Sequence, residues 1–147
     1  MVTRNATPRS ARAYVLEEQV GFKLRLAGQR HAAIFQSRAP LGLTPTQFSA
    51  LVKVLELGEC SQNELGRKTA MDVATIKGVV DRLRLRGLVD IRPDATDKRR
   101  SLVLPTDAAR ALWTTLLEAG HEISEDTLAP LTRAERDTFL ALLAKLS

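Results

Sequence analysis

Apolar residues recur at helical spacing along most of the chain, and the longest such stretch runs from about residue 14 to residue 38. Val20, Leu24 and Ala27 lie along one side of this predicted helix, and further leucines add a second apolar side. A helix that is apolar on two sides must pack against two neighbours. We therefore expect it to contact a partner subunit as well as its own core.

The centre of the chain, residues 61–87, predicts two short helices joined by a tight turn. Ser61 and Glu64 form an S-x-x-E capping box for the first, and Asp72 is a good N-cap for the second. Gly87 is expected to end the second helix. Spacing of i, i+3, i+4 and i+7 predicts that its buried face consists of Ile76, Val79, Val80 and Leu83.

After Gly87 the period changes from helical to strand-like. Residues 88–91 and 101–104 form two short β runs, separated by a loop that contains Pro93. The loop also carries three consecutive basic residues, Lys98, Arg99 and Arg100. The pattern predicts a two-stranded hairpin, or wing, with a basic tip. The order of helix, turn, helix and hairpin suits docking on DNA, with one helix in the major groove and the wing tip against the DNA backbone or the minor groove.

Capping signals place three more helices around this centre. Thr44-Pro45 with Gln47 opens a helix that runs to about Gly58. Pro105-Thr106 opens another, and T-R-A-E at 132–135 caps the last. The two final helices are rich in leucine and poor in basic residues, so we expect them to form a dimer interface. Packing on the domain's own core is the alternative.

Length and charge agree with one basic domain. The 147 residues fit a single domain over 1–147, and the net charge is +5. The charge is +4 over residues 1–60, +4 over residues 61–104 and −3 over the remainder. The middle of the chain is therefore suited to a polyanion, and the last third is not. Arginines near the N-terminus form either a tail that samples phosphates or a solvated end.

Several classes of protein are disfavoured by what the sequence lacks. Cys60 is the single cysteine, which excludes an internal disulfide and fits a reducing cytoplasm. We expect Cys60 to be a small buried residue, with redox sensing as the alternative. No apolar run approaches membrane-spanning length, and no signal-peptide core is present. Catalytic motifs are absent, and His31 and His121 are isolated, so we expect no enzyme, no cofactor and no metal site.

Several stretches together resemble the MarR family of bacterial transcription regulators. They are the TPTQF helix start, SQNELGRKTAMD, ATIKGVVDRLRLRGLV and RPDATDKRRSLVLPT, and the D-x-x-D-x-R-R of the wing is the most specific part. The resemblance implies a mainly α fold with a winged helix-turn-helix at 44–104 and one β-hairpin wing. Long dimerisation helices are implied at 14–39 and 106–147. It further implies a homodimer that binds a pseudo-palindromic operator in double-stranded DNA.

The resemblance also implies which residues bind DNA. Residues 72–82 match the recognition helix, Asp97 would orient neighbouring arginines, and Arg99 would enter the minor groove. Many members have Thr-Arg where this chain has Lys77-Gly78, so Lys77 and Thr75 are the expected base readers. The full expected set is Ser61, Gln62, Asn63, Asp72, Val73, Ala74, Thr75, Lys77, Gly78, Arg82, Asp97, Lys98, Arg99 and Arg100.

An effector site between the first helix, the TPTQ helix and the winged part is implied as well. Many members respond to phenolic or aromatic acids, and GRKTAMDVATIKGVVDRL is similar to regulators of nicotinic acid degradation. Arg30 and Arg38 flank His31 and would supply a cation, while Phe35 and Phe48 would supply apolar walls. We expect a small aromatic carboxylate to bind at these five residues. For His31 the alternative is a core histidine bonded to a carbonyl.

These observations predict a sequence-specific DNA-binding transcriptional regulator, a repressor released by a small aromatic acid. The alternative is a winged helix that serves only as a protein-interaction module and does not bind DNA. Such a module has no evident need for the basic cluster at residues 98–100, so the cluster favours DNA binding.

Overall fold

The structure is a computed structural model that describes residues 12–147, and it is mainly helical. The predicted phosphate-sampling tail lies almost entirely outside the described residues. The helices are α1 (Val20–Arg38), α2 (Pro45–Leu57), α3 (Gln62–Lys68), α4 (Val73–Leu85), α5 (Asp107–Ala111), α6 (Trp113–Leu128) and α7 (Arg133–Ala144). The strands are β1 (Cys60–Ser61), β2 (Val89–Pro93) and β3 (Ser101–Pro105). Short 3₁₀ turns span Leu16–Glu18 and Pro40–Gly42.

The first long helix begins later than its apolar pattern predicts. A 3₁₀ turn precedes it, and Gln19 has extended backbone with φ −78° and ψ 141°. The Nε2 amide of Gln19 donates to the carbonyl of Val15 at 2.8 Å. The predicted start near residue 14 is therefore wrong. No Ser, Thr, Asp or Asn stands between residues 13 and 19 to cap a helix there, and apolar spacing alone does not define a start.

Most of the predicted helix caps are confirmed. Thr44 and Thr132 each form a complete capping box with the residue three positions later. Ser61 forms half of its predicted box: its Oγ accepts the amide of Glu64 at 3.2 Å, but the glutamate does not reach back. Ser61 is at the same time a residue of β1, so its backbone belongs to the sheet.

The wing is part of a three-stranded antiparallel sheet in the order β1-β3-β2. The hairpin of β2 and β3 pairs Val89 with Pro105 at one end and Pro93 with Ser101 at the other. Strand β1, which the sequence did not predict, pairs Ser61 with Leu102. The prediction of a two-stranded wing is thus incomplete, because a strand of two residues leaves no alternation to detect. This third strand brings the start of α3 beside the wing.

One hydrophobic core joins α2, α3, α4, the sheet and α6. Leu51, Leu65 and Leu116 are fully buried in it, one from each of three helices. The predicted buried face of α4 is confirmed, because all four of its predicted residues are buried. This packing holds α4 with its remaining side chains turned to solvent.

The C-terminal part differs from its prediction in one respect. The prediction of a single helix directly after the wing is wrong, because the helix is interrupted at Leu112 and divides into α5 and α6. The Leu112 amide donates to the carbonyl of Ala109 three residues back at 3.0 Å, so the helix tightens there. Helix α6 packs against α1, whereas α7 has no buried residue. Among residues 12–147, none of the helices combines the length and the hydrophobicity that a membrane span requires.

Candidate nucleic-acid interface

Close packing of α3 on α4 depends on Gly66. A Cβ atom at this position would lie 3.1 Å from Cγ2 of Ile76 and 3.1 Å from the carbonyl oxygen of Met71. Contacts this short are tighter than ordinary van der Waals contact, so the absence of a side chain at Gly66 allows the close spacing of the helix-turn-helix. The turn also holds Ala70 at φ 55°, a left-handed conformation that is uncommon for alanine. Sequence reasoning missed Gly66, although a glycine inside a short helix was a signal of close packing.

The start of α4 is organised by Asp72. Its Oδ1 accepts the backbone amide of Thr75 at 2.7 Å. Hydrogen bonds from Thr75, the backbone bond first, hold the pKa of Asp72 below its ordinary value, so the cap is ionised at neutral pH. The exposed side of α4 presents six of the expected DNA contacts, namely Val73, Ala74, Thr75, Lys77, Gly78 and Arg82.

The end of α4 directs the chain into the wing. Gly87 has φ 70°, and its amide donates to the carbonyl of Arg84 at 3.0 Å. The amide of Leu88 donates to the carbonyl of Leu83 at 3.0 Å. These two bonds form a Schellman motif, which confirms the predicted end of the helix at Gly87. Strand β2 begins immediately afterwards, so the positions of the wing and α4 are linked.

Two aspartates shape the loop at the tip of the wing. Oδ1 of Asp94 accepts both the amide of Thr96 at 2.9 Å and its hydroxyl at 2.8 Å. Backbone hydrogen bonding from Thr96 is the main cause that holds the pKa of Asp94 below its ordinary value. Oδ1 of Asp97 accepts the amide of Arg99 at 3.0 Å. Both carboxylates are therefore used to form turns within the loop.

The basic side chains of the wing tip are left exposed. Asp97 contacts the backbone of Arg99, and in the described part of the chain no carboxylate lies within ion-pair distance of Lys98, Arg99 or Arg100. At the base of the wing, by contrast, Arg92 pairs with Glu59 at 2.6 Å. The tip thus carries three cations that are available to an external anion.

Two adjoining clefts connect the wing to α4. The wing cleft, of about 150 Å³, is lined by Ser61, Gln62, Asn63, Arg99, Arg100 and Ser101. The turn cleft, of about 360 Å³, is lined by Asn63, Gly66, Arg67, Met71, Asp72, Val73 and Ile76. Asn63 lines both, so the surface is continuous from the wing arginines to the start of α4. Strand β1 makes this surface continuous, because it holds residue 61 against β3.

Lys77, the expected base reader, forms an ion pair along its own helix. Its Nζ lies 3.0 Å from Oδ2 of Asp81. An exposed pair at this i, i+4 spacing contributes about 0.3–0.5 kcal/mol. That is small beside a direct contact with a base, so the pair does not prevent Lys77 from reaching DNA.

The expected effector residues lie between α1 and α6. Nη2 of Arg30 donates to the carbonyl of Asp126 at 2.7 Å, and its Nη1 donates to the carbonyl of Thr127. Arg38 donates from Nε to Oδ2 of Asp126 at 2.5 Å and from Nη1 to Oε2 of Glu122 at 2.8 Å. The bond to Asp126 is the main cause that raises the pKa of Arg38. Both guanidiniums therefore already have partners on α6.

His31 is held by a hydroxyl group and is exposed. Its Nδ1 lies 2.9 Å from Oγ1 of Thr127, and that hydroxyl donates to the carbonyl of Ile123 at 2.7 Å. Because the hydroxyl proton is used in this way, Nδ1 of His31 is the donor to Oγ1. The alternative of a core histidine bonded to a carbonyl is wrong.

An apolar groove of about 380 Å³ lies beside His31. It is lined by Leu24, Ala27, Gly28, His31, Ser124, Thr127, Leu128, Phe139, Leu140 and Leu143. Phe35 is buried and meets Phe48 edge-on, with ring centroids 5.6 Å apart, and neither ring lines the groove. Of the five expected effector residues, only His31 does. The sequence analysis considered α7 only for a dimer interface, so its contribution to this groove was missed.

Cys60 is 4% exposed in β1. Burial, together with the nearby Glu64, raises the pKa of its thiol to about 11. The thiol is therefore protonated at neutral pH, which agrees with the expected role as a small buried residue.

Comparison with known proteins identifies relatives of this chain. Residues 41–100 match the model of the MarR family. Over 150 residues the chain is 41% identical to the HTH-type transcriptional repressor NicR of Pseudomonas putida, covering 99% of this chain and 95% of that protein. A crystal structure of a probable transcriptional regulator from Pseudomonas aeruginosa is 51% identical with a TM-score of 0.87, covering 90% of this chain and 100% of that chain.

A third relative has a ligand-dependent function. Bordetella bronchiseptica BpsR, whose DNA binding is regulated by 6-hydroxynicotinic acid, is 39% identical with a TM-score of 0.86. The match covers 91% of this chain and 96% of BpsR. These likenesses extend through the winged helix and the flanking helices, and they confirm the resemblance expected from the sequence. The chain belongs to the MarR family of winged-helix transcriptional regulators.

Proposed function

We propose that the chain is a repressor that binds operator DNA with α4 in the major groove and the wing against the neighbouring minor groove. The observation that carries this proposal is the continuous surface from the wing arginines through Asn63 to the exposed side of α4. Its most prominent cations, Arg99 and Arg100, have no carboxylate partner in the described residues. The order of helix, turn, helix and wing suits this docking.

Base reading is assigned to the first two turns of α4. Lys77 has the length to reach a guanine edge, and Thr75 offers a hydroxyl to either kind of edge. Val73 is 68% exposed, which is unusual for valine and suits contact with a thymine methyl group. These three residues, with Arg82 further along the helix, form the proposed reading surface.

Phosphate contacts are assigned to the wing and the start of α3. The wing cleft combines two guanidiniums with the polar side chains of Gln62 and Asn63. Such groups bind phosphate oxygens, which position a protein on the duplex without reading its sequence. Arg99 is assigned to the minor groove, since it is exposed in the turn at the tip of the hairpin.

The proposed DNA-binding species is a homodimer formed by residues 14–39 and 106–147. Helix α1 exposes Val20, Leu24 and Leu26, and α7 exposes Leu140 and Leu142, each at 49% or more. Apolar surface of this extent on two neighbouring helices favours a covered interface. Two-fold symmetry would place two copies of α4 about 10 bp apart on a pseudo-palindrome. A protein-interaction module remains the alternative, but it leaves the basic wing tip without a role.

The proposed effector is a small aromatic carboxylate that binds at the groove beside His31. The groove is apolar and large enough for one ring, and BpsR responds to a molecule of this class. Arg30 and Arg38 lie on the same helix but are held by α6. A carboxylate gains Arg38 only by replacing the carboxylates of Asp126 and Glu122, and it gains Arg30 only by replacing the backbone carbonyls of residues 126 and 127. That exchange would alter the packing of α1 on α6 and hence the spacing of the two α4 helices.

Binding-site selection from a random duplex library tests the DNA-binding proposal. The wild type should enrich a pseudo-palindrome with half-sites about 10 bp apart. Lys77→Ala should select a less defined site and lose about 1–3 kcal/mol per half-site on the wild-type operator. A wild type that enriches no site refutes sequence-specific binding, and an unchanged preference in Lys77→Ala removes Lys77 from the readers.

A further inference from the structure

Gly78 lies in the middle of α4, on the exposed side that carries the proposed base contacts. A Cβ atom built on Gly78 would meet nothing within 4 Å. Its φ is not positive, because the positive-φ glycines of the described residues are Gly42, Gly58 and Gly87. Neither packing nor backbone conformation therefore requires a glycine at position 78.

Gly66 shows the contrast with a glycine that the fold does require. A Cβ there would lie only 3.1 Å from Cγ2 of Ile76 and from the carbonyl oxygen of Met71, so these neighbours would have to shift by a few tenths of an ångström to accept it. Gly78 has no such neighbour. Apart from proline, glycine is the least favourable residue inside a helix. At position 78 it weakens the helix without any gain in packing, which points to a role outside the folded chain.

The side chains around Gly78 are short or turned along the helix, so the exposed surface of α4 is depressed at its middle. Lys77 directs its ammonium along the helix to Asp81, 3.0 Å away. Ala74, one turn earlier, ends at a methyl group. The next long side chain without an ion pair in the described residues is that of Arg82, one turn later. A backbone with no Cβ between short neighbours can approach another molecule closely.

We propose that Gly78 determines operator specificity by allowing the backbone of α4 to lie against base edges at the floor of the major groove. This inference rests on the proposed DNA binding. A methyl group at position 78 would hold the helix away from the bases at that point and weaken the contacts of Thr75 and Arg82 beside it. Phosphate contacts from the wing do not depend on this depth, so non-specific binding should change little.

The test compares wild type with Gly78→Ala and Gly78→Leu on the selected operator and on a random duplex of equal length. Ser49→Ala serves as the control, because Ser49 is exposed in α2 and its replacement also favours helix. Gly78→Ala should raise Tm by about 3 °C. It should nevertheless weaken operator binding about 10-fold, and Gly78→Leu more, with random-duplex binding within about 2-fold of wild type. Ser49→Ala should leave both affinities unchanged.

An operator affinity of Gly78→Ala equal to or above that of wild type overturns the inference and leaves the proposed function intact. An equal loss on operator and random duplex also overturns it, because the loss would then come from general docking. If the wild type itself fails to distinguish the two duplexes, the proposed function and this inference both fail, and the wild-type titration alone shows it.

Discussion

The carboxylate of Asp97 accepts the backbone amide of Arg99 at 3.0 Å and makes no ion pair with the arginine side chain. Asp97 therefore fixes the turn that contains Arg99 and does not neutralise the charge of the Arg99 side chain. The guanidinium is left to an external anion. Its proposed contacts are with backbone and groove, where charge rather than base identity decides the interaction.

Arg99→Ala should accordingly weaken binding to operator and random duplexes alike. Loss of one phosphate-type contact per subunit should lower the slope of log K against log salt by about 2 in a dimer. A salt titration by fluorescence anisotropy measures the slope. Lys53→Ala is the matched control, since Lys53 pairs with Glu56 on α2, outside both the proposed DNA contacts and the proposed dimer helices. An unchanged slope in Arg99→Ala would remove the wing from the DNA contacts.

The homodimer proposal can be tested on the apolar surface of α7. Leu142, which does not line the groove beside His31, is 54% exposed, and Leu41, in the 3₁₀ turn before α2, is 52% exposed, so the two residues are matched in exposure. Leu142→Glu should produce monomer by sedimentation at micromolar concentration, because a charge would be buried in the interface. Leu41→Glu should remain dimeric. A dimeric Leu142→Glu protein would place the interface elsewhere.

Effector binding is tested by calorimetry with nicotinate, hydroxynicotinate, salicylate and benzoate. At least one should bind, and it should weaken operator affinity by about 5-fold to 150-fold, the usual range of allosteric coupling. His31→Ala should reduce this response, whereas His121→Ala should not, because His121 does not line the groove. Equal binding by wild type and His31→Ala, or no effect on the operator complex, would contradict the proposed site.

Burial of Cys60 predicts a definite dependence on pH. Its native pKa of about 11 lies above the ordinary 9.0, so the thiolate forms first in the unfolded chain. Stability contributed by the protonated thiol is complete below pH 9 and declines as pH rises towards 11. The unfolding free energy of wild type, relative to Cys60→Ala, should fall over that range. Rapid reaction of native Cys60 with a thiol reagent at pH 7.5 would show that it is not buried.

Local signals explain why much of the fold was predictable. The caps at Thr44, Asp72 and Thr132 involve residues within three positions of one another, so sequence spacing specifies them directly. The Schellman turn at Gly87 is equally local. The buried face of α4 follows from apolar periodicity alone. The expected DNA contacts on α4 are exposed for the same reason, whereas those of the wing tip are exposed because they lie in a charged loop between β2 and β3.

The remaining features depend on contacts between distant parts of the chain. Strand β1 exists because Ser61 meets Leu102, and no pattern within two residues marks it. Arg38 forms an ion pair with Asp126, 88 positions away in the sequence. The residues around His31 therefore could not predict that Arg38 is already paired. Likewise, the groove beside His31 is lined by residues of α1, α6 and α7 together, which are far apart in the sequence. Sequence spacing identified the chemistry of this region but not which groups were already paired.

Sequence-specific DNA binding is tested on the wild-type protein with the DNA upstream of its own gene. The measurement is a gel shift at physiological salt with excess random duplex as competitor. Sequence-specific binding predicts a discrete complex that survives competition, with an affinity about 10³-fold or more above that for random duplex. A complex lost in equal measure to random duplex, or no complex with any upstream or selected sequence, would refute sequence-specific DNA binding.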